Sequence, residues 1–364
     1  MEVALYHPGS GYYARAAQRS GRAGDFFTSV DVGPVFGELV EIQIAEMARS
    51  LDAQSLEPDA PTPFDLVEAG AGNGRLSADI LRAARRRDPL LYDRTRVHLV
   101  EASGTARAEQ RAAMGDVAER LVSSSDSLPA AIEGVVIANE LLDALPVHQV
   151  VMRGSGLREV YVDLSAGRLV TCEGPLSSPA LNSYFGALGI SLEPGWRVEI
   201  NLRALAWIRE VARRLRRGFV ILIDYGHDAR ELYSPTHASG TLTTFARHTM
   251  AGPEESAATP PWLTNPGAQD ITAHVDFTSV RSAAEAEGLT TVGFLDQTYF
   301  LLGLLGANAI SSLTSLNELS FKDRLALKTL LMPGGLGSTH KVLILSKGVS
   351  APLLQGCSYR MRVT

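Results

Sequence analysis

The chain has 364 residues, 45% hydrophobic and 20% charged, which is the balance of a folded globular protein and excludes a disordered, collagen-like or coiled-coil chain. At roughly 150 residues per domain it holds one large domain or two smaller ones. Forty acidic against 34 basic side chains leave a net charge of -6, a field that repels nucleic acid and anionic membrane, so neither is an expected partner.

Cys172 and Cys357 are too few for a disulfide framework, which fits a reducing compartment. Met1-Glu2-Val3-Ala4-Leu5-Tyr6-His7-Pro8 lacks the positive start and apolar run of a secretory signal, so a cytoplasmic location is expected. An uncharged run from Gln297 to Asn317 approaches bilayer length, but Asn308, Ser311, Ser312, Thr314 and Ser315 interrupt it. A buried helix pair is expected there, not membrane insertion.

In chain order, Phe36, Leu39, Val40, Ile44, Met47 and Leu51 recur at helical spacing and predict an amphipathic helix over about 34–51, ended by the Pro-rich stretch 57–63. Strand-like and helical runs then alternate: a strand over 64–69, a helix over 76–87, a strand over 97–102, a helix near 105–114, and strands over 120–124 and 135–139. Strands this rich in Val, Leu and Ile predict a parallel sheet covered by helices on both faces. Runs at 147–152, 157–164 and 168–172 are separated by Gly and Ser turns and predict an inserted antiparallel meander over 147–200. A helix over 202–216 and a strand over 219–223 resume the parallel sheet. The Pro-, Gly- and Ala-rich stretch 249–269 reads as a mobile loop, followed by a helix over 277–287 and strands around Thr291 and 342–345. The expected units are a cap over 1–62, the sheet over 63–146, the meander over 147–200, the rest of the sheet over 201–348 and a tail over 349–364.

The first strand runs into Glu68-Ala69-Gly70-Ala71-Gly72-Asn73-Gly74-Arg75, a glycine turn at a helix start that brings ligand close to backbone N–H groups. A dinucleotide loop would read Gly-x-Gly-x-x-Gly; here the glycines alternate and Arg75 stands where the last would be, which disfavours a nicotinamide oxidoreductase. Acid-x-Gly-x-Gly-x-Gly instead resembles the S-adenosylmethionine (SAM) loop of Rossmann-like methyltransferases, which places Glu68 near the methionine part. The fold class expected is thus α/β: a Rossmann-like class I SAM-dependent methyltransferase sheet with an antiparallel β insertion and an N-terminal helical cap. Glu101, at the next strand end, suits a bidentate grip on ribose hydroxyls, and Asp126, after the third strand, could accept from the adenine amino group. Alternatively the glycines form only a tight turn, and Glu101 and Asp126 are surface acids.

Leu5-Tyr6-His7-Pro8-x-x-Gly11-Tyr12-Tyr13, Gly24-Asp25-Phe26-Phe27-Thr28-Ser29, Phe36-Gly37-Glu38, Asn139-Glu140-Leu141-Leu142-Asp143-Ala144-Leu145-Pro146-Val147-His148, Asp224-Tyr225-Gly226 and Asp270-Ile271-Thr272-x-His274-Val275-Asp276-Phe277 together resemble the MidA-like family from Leu5 to about Lys347. Its mitochondrial members are arginine methyltransferases that assist assembly of respiratory complex I. The resemblance implies SAM as methyl donor, S-adenosyl-L-homocysteine as product, and a protein substrate, a respiratory complex subunit among the candidates; a homodimer is also possible. Members of the family usually carry a helical segment ahead of the Tyr-containing motif, and Met1 to Leu5 resembles the interior of that segment, which leaves a start upstream of Met1 open. Ala69 and Ala71 stand where relatives often have Leu and Pro.

An arginine acceptor carries a protonated guanidinium that makes fork-like bonds to carboxylates, which predicts acids near the fourth strand end. Glu140 and Asp143 are the expected catalytic acids, with Asn139 holding SAM or a backbone amide and His148 a secondary proton acceptor; structural roles at a helix start, a turn and a strand are the alternatives. Asp25, Phe26, Phe27 and Thr28 are expected to cover the acceptor pocket, with Ser29 or Asp31 as the N-cap of the following helix, unless the aromatics are simply core. Asp224 and Tyr225 end a strand at the same edge and either line that pocket or pack there. Asp270 and His274 show no third metal ligand in the sequence, so no metal is expected. A small-molecule methyltransferase and a SAM-binding assembly factor without catalysis remain the alternative functions.

Overall fold

The computed structural model describes residues 1–14, 28–54, 62–246, 249–253, 259–306, 320–331, 339–350 and 352–359. Asp25, Phe26 and Phe27, most of the Pro-rich stretch, and the second half of the expected helix pair at 297–317 lie outside these residues.

Helices α1 (Glu2–Tyr6) and α2 (Pro34–Asp52) precede the first strand, β1 (Phe64–Ala69). Then follow α3 (Arg75–Arg87), α4 (Pro89–Arg94), β2 (Thr95–Val100), α5 (Gly104–Met114), β3 (Leu121–Ser125) and β4 (Ile132–Asn139). After these come β5 (His148–Arg153), β6 (Gly156–Ser165), β7 (Arg168–Gly174), α6 (Pro179–Leu188), β8 (Arg197–Ile200), α7 (Leu202–Arg214), β9 (Leu215–His227) and α8 (Ala229–Leu232). The described chain closes with β10 (Thr243–Ala246), β11 (Thr249–Ala251), β12 (Asp270–Thr272), β13 (Val275–Asp276), α9 (Phe277–Ala286), β14 (Thr290–Asp296), α10 (Gln297–Leu305), α11 (Phe321–Leu331) and β15 (His340–Lys347).

The central sheet has the order β14-β15-β9-β4-β1-β2-β3, with β13 added beside the end of β9. Pairings from β3 through β9 are parallel, whereas β15 runs antiparallel to both β9 and β14. Alternation of side chains sorts each strand between two cores. Leu66, Val135, Ile137, Phe219 and Ile221 meet α2, α3 and α10 on one face. Val67, Val136, Ala138, Val220 and Leu222 meet α6, α7 and α9 on the other. Strands buried on both faces explain the continuous apolar runs seen in the sequence. Phe300, Leu301 and Leu304 bury α10 in the first core, as expected for the first half of the helix pair.

Between β4 and β9 the chain forms a separate antiparallel sheet of order β7-β6-β5-β8. The meander expected there gains a fourth strand and the helix α6, capped by the Ser178 side chain, which accepts from the Ala180 N–H. The stretch read as a loop is partly ordered into β-structure: β10 pairs with β11 and β12 in a three-stranded sheet. This sheet packs on α1 through Leu5, Tyr12, Leu242, Ile271 and Ala273.

Candidate active site

The parallel sheet brings its carboxyl-end loops together along one edge, where open α/β sheets bind ligand. After β1, the N–H groups of Gly70 and Ala71 donate to Val100 O at 2.9 and 3.1 Å, fastening the glycine loop to β2. Gly72 and Gly74 adopt left-handed φ values of 51° and 81°. A Cβ on Gly74 would lie 2.7 Å from Leu99 Cδ1, so packing demands glycine there; a Cβ on Gly72 would meet nothing within 4 Å and faces open space. Gln110, fully buried, supports the loop from below by donating to Gly72 O at 2.8 Å while accepting from Ser124 Oγ.

Glu101 bridges the loop to the next turn: Oε2 accepts from the Gly72 N–H at 2.9 Å and Oε1 from the Ser103 N–H at 2.8 Å. Each oxygen keeps lone-pair capacity, as a grip on a diol requires. Glu68 is turned inward. Its Oε2 accepts from the Ser77 N–H at 3.0 Å and from Ser77 Oγ, so the carboxylate holds the first turn of α3. Burial pushes the Glu68 carboxyl up to about 7 against the pull of these bonds, with the charges of Glu101 and Asp79 adding to the rise. Asp126 is exposed one residue beyond β3. Arg75, in place of a third spaced glycine, pairs with Asp31 at 3.1 Å and donates to Val30 O, docking the 28–32 segment on the loop.

Beyond β4 the expected acids converge. Glu140 has a left-handed φ of 52°, rare and strained for a residue with a side chain. Its Oε1 accepts from Ser29 N–H at 3.2 Å and Asn139 Nδ2 at 3.3 Å and lies 3.4 Å from His340 Nε2. No described hydrogen bond or ion pair falls on Oε2. Asn139 Oδ1 and Asp143 Oδ1 are buried acceptors with no hydrogen-bond partner among the described residues. Burial, then the charges of Asp224, Glu140 and Asp270, hold the Asp143 carboxyl well above the usual range.

Asp224 does not open into a pocket: it is buried, and its Oδ2 accepts the N–H groups of Leu141, Leu142 and Asp143 at 3.1, 2.7 and 3.4 Å, while Oδ1 accepts from Tyr225 N. It positions the turn carrying the acids. Tyr225 packs its ring 3.9 Å from that of His340, centroid to centroid. His148 instead joins Glu159 of β6 at 2.7 Å, a contact inside the meander. Thr28 donates through N–H and Oγ1 to Asp31 Oδ2, closing the 3-10 turn Ser29–Val32; the N-cap of α2 is Gly33, not Ser29 or Asp31, because Pro34 opens that helix.

Several contributors carried no assigned role in the sequence reading. Tyr6 donates to Ala144 O and Tyr13 to Asp270 Oδ1, both at 3.0 Å, and Ser103 Oγ donates to Tyr13 O, so the first 14 residues lie across the acid cluster and the Glu101 turn. The Tyr-rich motif and Asp270 were visible as motifs; His340, in a late strand, gave no signal. Beside this roof, a groove of about 520 Å³ runs between α1, the meander and residues 262–271, lined by Val3, Gln149, Val160, Trp262, Pro266 and Ile271 among others. Elsewhere His227, His237 and His274 come together, although the sequence shows no ligand spacing among them.

The donor set suits SAM. Glu101 offers two carboxylate oxygens able to hold a diol, and Asn139 Oδ1, buried with no partner among the described residues, offers an acceptor to an ammonium group. The sheet order, its one reversed strand, the glycine loop and the acid after β2 define a class I SAM-dependent methyltransferase. The model of a family of S-adenosyl-L-methionine-dependent methyltransferases matches residues 39–295, and the chain belongs to that family. It is 28% identical to the mitochondrial protein arginine methyltransferase NDUFAF7 homolog of Drosophila melanogaster, covering 96% of this chain and 81% of the relative. Identity to the mitochondrial protein arginine methyltransferase NDUFAF7 of Rattus norvegicus is 29%, covering 83% and 68%. A Burkholderia thailandensis protein solved with S-adenosyl-homocysteine bound superimposes with a TM-score of 0.84 at 30% identity, covering 98% of this chain and 88% of that one. The cytoplasmic expectation is overturned by the relatives named as mitochondrial proteins; a low cysteine count reports thiol chemistry and carries no address. Among the described residues no helix is long and apolar enough to cross a membrane.

Proposed function

We propose that the chain is a protein arginine N-methyltransferase whose substrate is a protein linked to assembly of a respiratory complex. The observation that carries this reading is the pair of carboxylate oxygens at the end of β4 with no partner among the described residues, Glu140 Oε2 and Asp143 Oδ1. An arginine guanidinium supplies five donors in a planar fork and meets such a set directly, whereas a neutral acceptor would leave the oxygens unmatched. The arginine specificity of the curated relatives' names points the same way.

In this reading Glu140 and Asp143 bind and turn the guanidinium so that one nitrogen faces the methyl carbon, which is positioning catalysis. SAM, when bound, supplies a methyl group already activated on a sulfonium. Glu101 and the Gly72 backbone orient it, Asn139 takes its ammonium, and Tyr6 and Tyr13 exclude water from above. The groove between α1 and the meander is the path for the protein substrate. Burial and the neighbouring acids favour the protonated Asp143 carboxyl, and an arriving guanidinium favours the ionised form, with the proton passing to solvent.

The test uses methyl-labelled SAM, lysate proteins and mass spectrometry of the labelled residues. Labelled arginine is expected, and Glu140→Gln should lower its rate by about 100-fold or more while SAM affinity holds. Full transfer by Glu140→Gln at unchanged SAM affinity overturns the assignment of that acid. SAM binding with no labelled protein overturns the protein substrate and favours a small-molecule acceptor.

A further inference from the structure

Away from the acid cluster, three imidazoles reach one another from separate segments. His227 ends β9, His237 ends the 3-10 turn Pro235–His237, and His274 lies between β12 and β13. One ring nitrogen of each lies within 4.8 Å of the others, and all three residues are half-buried. The rings are not stacked: centroids are 4.9, 5.2 and 5.9 Å apart with planes tilted by 44°, 37° and 70°.

Rings gathered in this way present lone pairs to one another and would repel as cations. Burial disfavours the charged form of His274 and of His227. Neutral imidazole is the ligating form. His274 Nδ1 is buried without a hydrogen-bond partner among the described residues. One residue of α8 approaches the other two rings: His237 Nδ1 lies at hydrogen-bond distance, 3.1 Å, from Glu231 O, and the Glu231 carboxylate stands 3.0 Å from His227 Nδ1 as an ion-pair contact without hydrogen-bond geometry. Backing of metal-bound histidines by a carbonyl or carboxylate is how such ligands are held in orientation.

We propose that His227, His237 and His274 form a binding site for a divalent transition metal, with Zn²⁺ the ion their chemistry suits. Tetrahedral zinc with bonds of about 2.0–2.1 Å needs ligand nitrogens about 3.4 Å apart, which small rotations of these three rings supply. Three imidazoles leave the fourth position to water. The metal joins the end of β9, directly after Asp224 and Tyr225, to the segment after Asp270, where Val275 and Asp276 pair with Gly226 and His227. It thereby braces the wall of the acid cluster without touching it, and its presence is independent of which acceptor is methylated.

Tag-free full-length protein, stripped by chelator and equilibrated with Zn²⁺, is to be assayed by elemental analysis, with Co²⁺ loading followed by visible absorption. One zinc per chain and the intense bands of tetrahedral cobalt are expected. His237→Ala and His274→Gln should each lose that equivalent, whereas His7→Ala, at an exposed site, should keep it. Glu231→Gln should weaken zinc affinity by about 10–100-fold at unchanged stoichiometry. Failure of the wild type to retain an equivalent, or retention by both His237→Ala and His274→Gln, overturns the site. Should His274→Gln not fold, His237→Ala on its surface turn and the cobalt spectrum of the wild type decide the matter, weak octahedral bands counting against it.

Discussion

Asp143 is the residue whose chemistry depends most on its surroundings. Its Oδ1 has no partner among the described residues, and burial, then the charges of Asp224, Glu140 and Asp270, hold its carboxyl well above the ordinary range. A guanidinium binds the ionised form, so acceptor binding should release a proton and tighten as pH rises toward the raised value. Calorimetry of an arginine peptide in buffers of different ionisation enthalpy should read that proton, and Asp143→Asn should abolish it; equal enthalpies in all buffers for the wild type would refute the coupling. The glycine loop offers a second contrast between two neighbouring positions. Gly72→Val places its side chain in open space at a left-handed φ, costing about 1–2 kcal/mol in strain yet leaving a folded chain that no longer binds SAM. Gly74→Val drives Cβ into the buried Leu99 side chain and should lower the melting temperature further than Gly72→Val does. Thermal melts paired with SAM titration distinguish blocked binding from lost packing.

The turn 141–143 shows how an element is held from a distance. Three of its N–H groups converge on Asp224 Oδ2, on a strand some eighty residues later, so Asp224→Ala should cost about 1–3 kcal/mol for each donor left unpaired and loosen Glu140 and Asp143 together. A denaturant midpoint unchanged in Asp224→Ala would show that the turn stands without it. This contact also marks where the sequence ceases to be legible. β1, α2, α7 and α9 could be read because periodicity and burial are local properties of the chain, and Glu140 with Asp143 could be placed because a strand end fixes the edge they share. The acid at 224 gave its position but not its task, since nothing local shows which N–H groups will arrive. Helix α6 was missed although Leu181, Tyr184, Phe185 and Leu188 hold helical spacing, because Gly, Ser and Pro around Ser178 and Pro179 read as turns when they are a cap and a first helical position. Strands of three or four residues such as β10, β11 and β12 are too short to carry a period. The histidines at 227, 237 and 274 meet only because β13 pairs beside β9, a tertiary event with no sequence spacing.

Over the whole molecule, the ligand edge of the sheet stores buried acid that the fold alone does not neutralise. Burial raises Glu68 and Asp224 each to about 7 and lifts Asp143 well above its ordinary range, whereas unfolded carboxyls titrate near about 4. Above pH of about 4 the unfolded chain therefore binds fewer protons than the native one at these sites, and their contribution to stability falls as pH rises until the raised values are passed. Asp65 acts in the opposite direction: its carboxyl is lowered, burial being outweighed by hydrogen bonds from His98 and the Glu133 N–H and by Arg96, so its contribution is lost only in acid. The ligand-free chain should accordingly melt higher near about pH 5.5 than near about pH 8. Cationic ligands reverse the penalty by favouring the ionised acids, so the rise in melting temperature produced by saturating SAM should be larger at the higher pH. Scanning calorimetry with and without SAM across this range tests both statements. A ligand-free melting temperature that climbs steadily from pH 5.5 to 8 would mean that the edge acids are already ionised and paired in the free fold, and that the site binds cations without exchanging protons for them.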